Sequence, residues 1–366
     1  MDFTLPTEVE EAAQLAATIL RDHTTPDRLS QTEAAGGPRF DPVLWNALAD
    51  AGLLDLAPAE SAHGAGLGVL GLCRFLMEVG RTVAPVPAAA DGAARLFLSE
   101  FGAEAPAVAT ATGRPILTWA ISEQHEYTPE APLTTAAPDG DGYRLTGTKY
   151  LVPAATLATH ALVIAAAPEP AVFLVPLDTP DVRIREQRLS DTDIVGLVDL
   201  DGVAVSGDQL IGPADGTAAH RLVQLATVAN CALQLGVTEG AVRLTAEYAK
   251  TREQFERPIA TFQAVAQRLA DGFIDTRFQG LAMWQAAWRL SEGVPADDAI
   301  ATAKLWAADA GHRVAHTTVH IHGGVGIDLD GVAHRYFTAA TRFEQELGGA
   351  TQHALARGRL LAAEPA

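Results

Sequence analysis

The feature that most limits the fold is a nearly uninterrupted helical pattern over residues 218–251. Three more long runs follow it, over 261–290, 297–320 and 331–362, with short connections between them. Each run carries an apolar stripe at helical spacing. Four such helices bury their stripes by packing on one another as a bundle. Gly236 and Gly240 fall inside the first run, where glycine ordinarily weakens a helix.

The middle of the chain has another texture. From Pro115 onward, short apolar runs alternate with turn residues: 116–121, 143–146 after the turn signal Asp139-Gly140-Asp141-Gly142, then 161–166, 172–175, 182–184, 195–200 and 203–205. Short strands at this spacing predict a compact β-domain, sandwich or barrel-like. The first third is helical again. Residues 8–22 place Ala12, Leu15, Ala16, Ile19 and Leu20 at helical spacing, 41–51 starts a helix with Pro42 in its first turn, and 70–82 and 88–101 continue the pattern around a glycine-rich loop at 59–68. The expected fold class is α+β, with an N-terminal helical domain over 1–115, a central β-domain over 116–215 and a C-terminal four-helix bundle over 216–366. The Pro/Ala-rich stretches 83–90 and 103–115 read as linkers.

Composition excludes several classes of function. The formal net charge is -19 and no Lys/Arg-rich block occurs, so nucleic acid is not an expected partner. The same acidity means that an anionic ligand needs positive charge supplied locally. Cys73 and Cys231 are far apart in apolar surroundings, which argues against a disulfide framework or a cysteine metal site and fits a reducing cytoplasm. Residues 1–17 are acidic and lack the pattern of a signal peptide, and charges interrupt the alanine-rich stretches, so no membrane span is expected. Abundant alanine and 6% aromatic residues point to closely packed helices.

Two segments carry chemistry. The first is Tyr248-Ala-Lys-Thr-Arg-Glu-Gln-Phe-Glu-Arg-Pro-Ile-Ala-Thr-Phe-Gln263. One long helix ends there, and Thr261 is placed to cap the next. Lys250, Arg252 and Arg257 cluster in an otherwise acidic chain. Cations at a helix C-terminus also complement its dipole, but the planar fork of Arg252 is well suited to a pyrophosphate. The second segment is His320-Ile-His-Gly-Gly-Val-Gly326, a loop between two long helices. Bare glycines let backbone N–H groups approach a phosphate, although helix-to-helix turns use glycine routinely. No strand precedes the loop, so it is not a Rossmann fingerprint. His312, His316, His320, His322 and His334 lie close in sequence without carboxylate-supported ligand spacing, and they read as core, capping or ligand-facing residues with no metal.

Taken together, the segments resemble the acyl-CoA dehydrogenase family. The match covers Thr-Arg-Glu-Gln-Phe-Glu-Arg-Pro-Ile-x-x-Phe-Gln, the following Leu269-Ala-Asp, Gly-Gly-Val-Gly with His334-Arg335-Tyr336, and the α–β–α order of the whole chain. A narrower resemblance rests on Leu235-Gly-Val-x-Glu-Gly, Thr245-Ala-Glu-Tyr and Leu347-Gly-Gly-Ala-Thr351. These look like one subunit of the actinobacterial heterotetramers that dehydrogenate steroid side-chain CoA thioesters. The resemblance implies FAD shared between subunits, an acyl-CoA substrate and an electron-transfer flavoprotein as acceptor. It places dinucleotide contacts on Arg252 and Phe255, supported by Gln254, Phe262 and Gln263, and a pyrophosphate contact on Gly323, Gly324 and Gly326. The glutamine that commonly opens that loop is replaced by His320. Trp119, Ile121 and Ser122 match the strand that covers the flavin, but the glycine- and serine-rich loop after it reads Glu123-Gln-His-Glu-Tyr127.

The reaction needs a carboxylate to remove the α-proton. In the family this glutamate precedes a Gly-Thr. Ungapped alignment from His334-Arg335-Tyr336 puts Leu347 there, with Glu346 one residue earlier and turned about 100° away on a continuous helix, and Glu344 farther off. The family's alternative base lies on the earlier long helix near Ala226, and no carboxylate occupies 222–235. Three readings follow. The chain is a base-deficient subunit completing a shared FAD site with a homologous partner, or a self-sufficient homo-oligomer using Glu346, or a flavin-free binding subunit on the same scaffold.

Overall fold

A computed structural model describes residues 4–103, 114–128 and 130–363. Most of the stretch read as a linker over 103–115 lies outside these residues. In chain order the elements are α1 (Thr7–His23), α2 (Pro26–Ala34), α3 (Pro42–Asp50), α4 (Gly68–Arg81) and α5 (Ala88–Glu100). Strands β1 (Leu117–Ala120), β2 (Thr135–Asp139), β3 (Gly142–Pro153), β4 (His160–Ala166), β5 (Pro170–Pro176), β6 (Val182–Arg188), β7 (Ile194–Ser206) and β8 (Leu210–Ile211) follow. The C-terminal part has α6 (Thr217–Thr251), β9 (Glu253–Gln254), β10 (Arg257–Pro258), α7 (Gln263–Ser291), α8 (Asp297–His322), α9 (Ala333–Gln345) and α10 (Ala350–Ala363). By backbone proximity the chain divides into two units, one of residues 1–34, 73–84 and 227–366, the other of 35–72 and 85–226.

The second unit is built on one eight-stranded sheet of order β6-β7-β3-β2-β4-β5-β8, with β1 joined to β4. The β1–β4 and β2–β4 pairings are parallel and the others antiparallel. Leu145, Val163, Phe173, Val198 and Val203 bury one face of it. The two short runs read at 195–200 and 203–205 are one strand, β7. Strand β2 escaped the sequence reading because only Ala136 of its residues is buried. Ahead of the sheet, Asp41 caps α3 by accepting from Val43 N–H and Leu44 N–H. Buried Asp91 accepts from Leu117 N–H at 2.9 Å and pairs with Arg95 at 2.9 Å and Arg114 at 3.0 Å, which ties α5 to the start of β1.

In the first unit, α1 buries Val9, Ala13, Ala16 and Leu20, while Leu15 is 46% exposed. Where α4 crosses α6, the backbones touch. A Cβ added at Gly80 would lie 2.1 Å from the Leu233 carbonyl oxygen, and one at Gly236 would lie 2.1 Å from that of Met77. The glycine that weakened the helical reading is therefore what lets two helices meet. Buried Glu78 sits between Arg74 and Arg81, and Arg81 also reaches Glu239 through Nε at 2.6 Å. The expected run over 331–362 is two helices, α9 and α10, with a break between them. Among the described residues no helix is long and apolar enough to cross a membrane, and no group of three or more His, Cys, Asp or Glu is placed to hold a metal ion.

Candidate functional site

The end of α6 leads into a tight hairpin. Gln254 pairs with Arg257 and Glu253 with Pro258, and the Arg252 carbonyl accepts from Ile259 N–H at 2.8 Å. The two tip residues, Phe255 and Glu256, have φ of 53° and 63°. Consecutive left-handed residues give the turn a two-residue hairpin needs, at a cost of roughly 1–2 kcal/mol per residue for non-glycine side chains. The strain holds the Phe255 ring out: it is 87% exposed. Its edge meets Phe262 at a centroid distance of 6.1 Å, and the Arg257 guanidinium lies 4.2 Å from the Phe262 ring. The Thr261 hydroxyl donates to the Pro258 carbonyl, and Phe262 stands at the N-cap of α7 with no side-chain cap.

The second segment arrives from α8. That helix stops at Gly323, whose φ is 64°. Gly323 and Gly324 are exposed, and a Cβ on either would meet nothing within 4 Å, so their backbone is open to a ligand. Gly326 instead folds back against Val319 and His322. The His322 ring stacks on Tyr248 of α6 at 4.2 Å, and its Nδ1 donates to the Thr318 carbonyl at 2.8 Å. Burial lowers its pKa.

Between the segments lies a cleft of about 300 Å³ lined by Gln254, Phe255, Phe262, Val265, Arg268 and His320. Four of the expected site residues therefore share one wall: Gln254, Phe255, Phe262 and His320. Arg252, Gln263, Gly323 and Gly324 are exposed on the same two segments, outside the lining, and Gly326 is buried. Arg268 was missed by the sequence reading. It lies one helical turn beyond Ala264, and its charge in an acidic chain was the available signal. With Arg252 and Arg257 it supplies the local positive charge an anion requires.

Ser122 belongs to the other unit. It is buried, its hydroxyl donates to the Tyr127 carbonyl at 2.7 Å, and its own carbonyl accepts from Tyr150 N–H at 2.9 Å. Next to it, Glu123 forms an ion pair with fully buried Lys149 at 2.7 Å and accepts from Leu133 N–H and Thr134 N–H. These bonds tie down the start of the Glu123–Tyr127 loop, which replaces the glycine- and serine-rich one of the resemblance.

At the α9–α10 break, Glu346 leaves the helix with φ -62° and ψ 128°. Leu347 and Gly348 have φ of 60° and 97°, and Leu347 is only 2% exposed. The bend is held from three sides. Buried Lys304 donates to the Phe343 and Glu344 carbonyls at 2.7 and 3.1 Å, His353 Nε2 donates to the Leu347 carbonyl at 2.9 Å, and Gly349 N–H donates to Gln352 Oε1 at 2.7 Å. Burial pulls the Lys304 ammonium down to about 8 and the His353 imidazole to about 4. The Glu346 carboxylate lies 3.5 Å from Arg342, and that of Glu344 lies 3.0 Å from His312. Because the helix is broken, the expected 100° offset of Glu346 along a continuous helix does not apply.

Comparison with known proteins adds to this geometry. Residues 6–107 and 217–358 match the N-terminal and C-terminal domains of acyl-CoA dehydrogenases. The chain is 42% identical to the acyl-CoA dehydrogenase FadE27 of Mycobacterium tuberculosis, across the whole of both chains. It superposes on a chain of the ChsE4-ChsE5 complex from the same organism with a TM-score of 0.93 and 43% identity, covering all of both. Against the Tcur3481-Tcur3483 steroid ACAD the TM-score is 0.89 at 40% identity, over 98% of this chain and 99% of that one.

Proposed function

The chain belongs to the acyl-CoA dehydrogenase family, and on that premise we propose that it is one subunit of an FAD-dependent enzyme that desaturates a CoA thioester at the α,β position. The observation that carries the reading is the cleft: the Phe255 and Phe262 rings, Arg268 and His320 line it, and Arg252, Arg257 and the open glycine turn belong to the two segments that form it. A dinucleotide asks for this set: flat apolar walls, cationic forks and bare backbone N–H groups. Arg252 takes the diphosphate with the Gly323–Gly326 turn, while Phe255 and Phe262 take a ring face. Gln254, Gln263 and His320 give directional hydrogen bonds. Bound FAD supplies the acceptor for the hydride that leaves the β-carbon.

No carboxylate stands ready at the break. Leu347 cannot accept a proton, and Glu346 is engaged with Arg342. We therefore read the chain as the base-deficient half of a heterotetramer, whose homologous partner brings the glutamate and the acyl pocket. A steroid side-chain thioester is the substrate class we favour, because a 40%-identical relative is a steroid ACAD. Electrons pass to an electron-transfer flavoprotein, in a reducing cytoplasm that suits two free, buried cysteines. The break itself favours a second reading. Glu346 is free of helical register and could act as base in a homo-oligomer.

The test is to purify the chain alone and with its co-expressed homologous partner, and to follow flavin absorbance and steroid-CoA oxidation. Yellow protein whose turnover requires the partner, and is indifferent to Glu346→Gln in this chain, supports the heteromeric reading. Turnover by the chain alone that Glu346→Gln abolishes establishes the second reading. Colourless protein in both preparations removes FAD from the account.

A further inference from the structure

Along the chain, Arg252 and Gly323 are separated by the whole of α7 and α8. Their spacing must therefore be set where α6 and α8 end side by side. Two rungs join these ends. The Thr245 hydroxyl lies 3.2 Å from that of Thr318, and one turn farther along the Tyr248 ring stacks on His322 with planes 21° apart. The Tyr248 carbonyl accepts from Arg252 N–H at 2.8 Å, so the ring stands one turn from the guanidinium. His322 is the last residue of α8, and the position of a Cβ on Gly326 would be 3.0 Å from its own Cβ. The imidazole is thus stacked on the Tyr248 ring with Nδ1 fixed by the Thr318 carbonyl, while the glycine turn packs against the Cβ of the same residue. The Tyr248 hydroxyl reaches the His322 carbonyl only at 3.5 Å, so ring contact rather than that long bond makes the joint.

We propose that Tyr248 and His322 are positioning residues for the dinucleotide, a clasp that sets the separation between the arginine hairpin and the glycine turn. The proposal rests on the FAD reading above. Its test is an FAD titration, by flavin fluorescence quenching, of the full-length protein with its co-purified partner. Losing one aromatic stack predicts that Tyr248→Leu weakens FAD binding about tenfold. Tyr248→Phe, which keeps the ring, should bind within about twofold of wild type. The flavin-free Tyr248→Leu protein should stay folded, its melting temperature lowered by no more than the few degrees that one aromatic stack is worth. Wild-type affinity in Tyr248→Leu overturns the clasp alone, as does a Tyr248→Phe variant that binds as weakly as Tyr248→Leu. Wild-type protein that takes up no FAD overturns the family reading and the clasp with it. If Tyr248→Leu fails to fold, His322→Gln removes the other ring, keeps a donor for Thr318 and is judged by the same criteria. Two unfolded variants would assign the pair to stability and refute the proposal.

Discussion

The hairpin at 253–258 and the break at 346–349 depart from helix in the same way, each with two consecutive residues in left-handed conformation, and put that departure to opposite use. At the hairpin the strained residue is an aromatic 87% exposed, held out with only its edge against Phe262. At the break it is a leucine 2% exposed, locked by Lys304, Gln352 and His353. Strain that presents a side chain to solvent is of use to a ligand. Strain that buries one serves packing. The contrast separates the part of this chain proposed to meet a nucleotide from the part where a catalytic base was sought.

The largest effect that could break the contrast is at Leu347. Leu347→Ala empties a packed site and should cost about 3 kcal/mol in urea denaturation, while FAD affinity stays as in wild type. A variant of normal stability that loses flavin would turn the comparison around. Arg252→Gln should do the reverse. Removing a charge-assisted contact weakens FAD binding by about 30-fold, or ~2 kcal/mol, with the unfolding midpoint of the flavin-free protein unmoved. An equal loss of stability would make Arg252 a helix-end cation and nothing more.

His353 sharpens the contrast through pH. Burial holds its imidazole at about 4, below the ordinary 6.5. Between those values the unfolded chain binds a proton that the fold does not, so stability is complete above about 6.5 and drains away as pH falls toward 4. Wild type should lose roughly 2 kcal/mol more than His353→Gln between pH 7 and 4.5, measured by denaturation at both values. Parallel losses would mean that the imidazole does not hold the bend. The smallest effect belongs to Phe255→Ala, which should leave stability unchanged and reduce FAD affinity about fivefold, the worth of one aromatic contact.

Much of the fold was legible because periodicity is local. The long pattern at 218–251 became α6, and the dense short runs after Pro115 became the sheet. Features that depend on distant partners were not legible. The run at 331–362 read as one helix because Lys304, which holds the Phe343 and Glu344 carbonyls before its break, acts from α8; the Gly348-Gly349 pair was a local sign. Lys149 and Glu123, 26 positions apart, form a buried pair that no local pattern announces. The candidate site was legible as two segments, through Arg252 with Phe255 and through the Gly-Gly turn. Their meeting in one cleft was not, because it depends on where α6 and α8 end in space. The hydroxyl of Ser122, expected toward a cofactor, holds the Tyr127 carbonyl.

The crossing of α4 and α6 at Gly80 and Gly236 has a consequence for mutational scanning. Replacement by alanine normally subtracts atoms, and tolerance is read as indifference. At this crossing the same replacement adds a methyl group where a carbonyl oxygen already stands. The mildest substitution on an ordinary survey is the harshest one here, so two unremarkable letters would rank among the most sensitive in the chain although neither bears any chemistry.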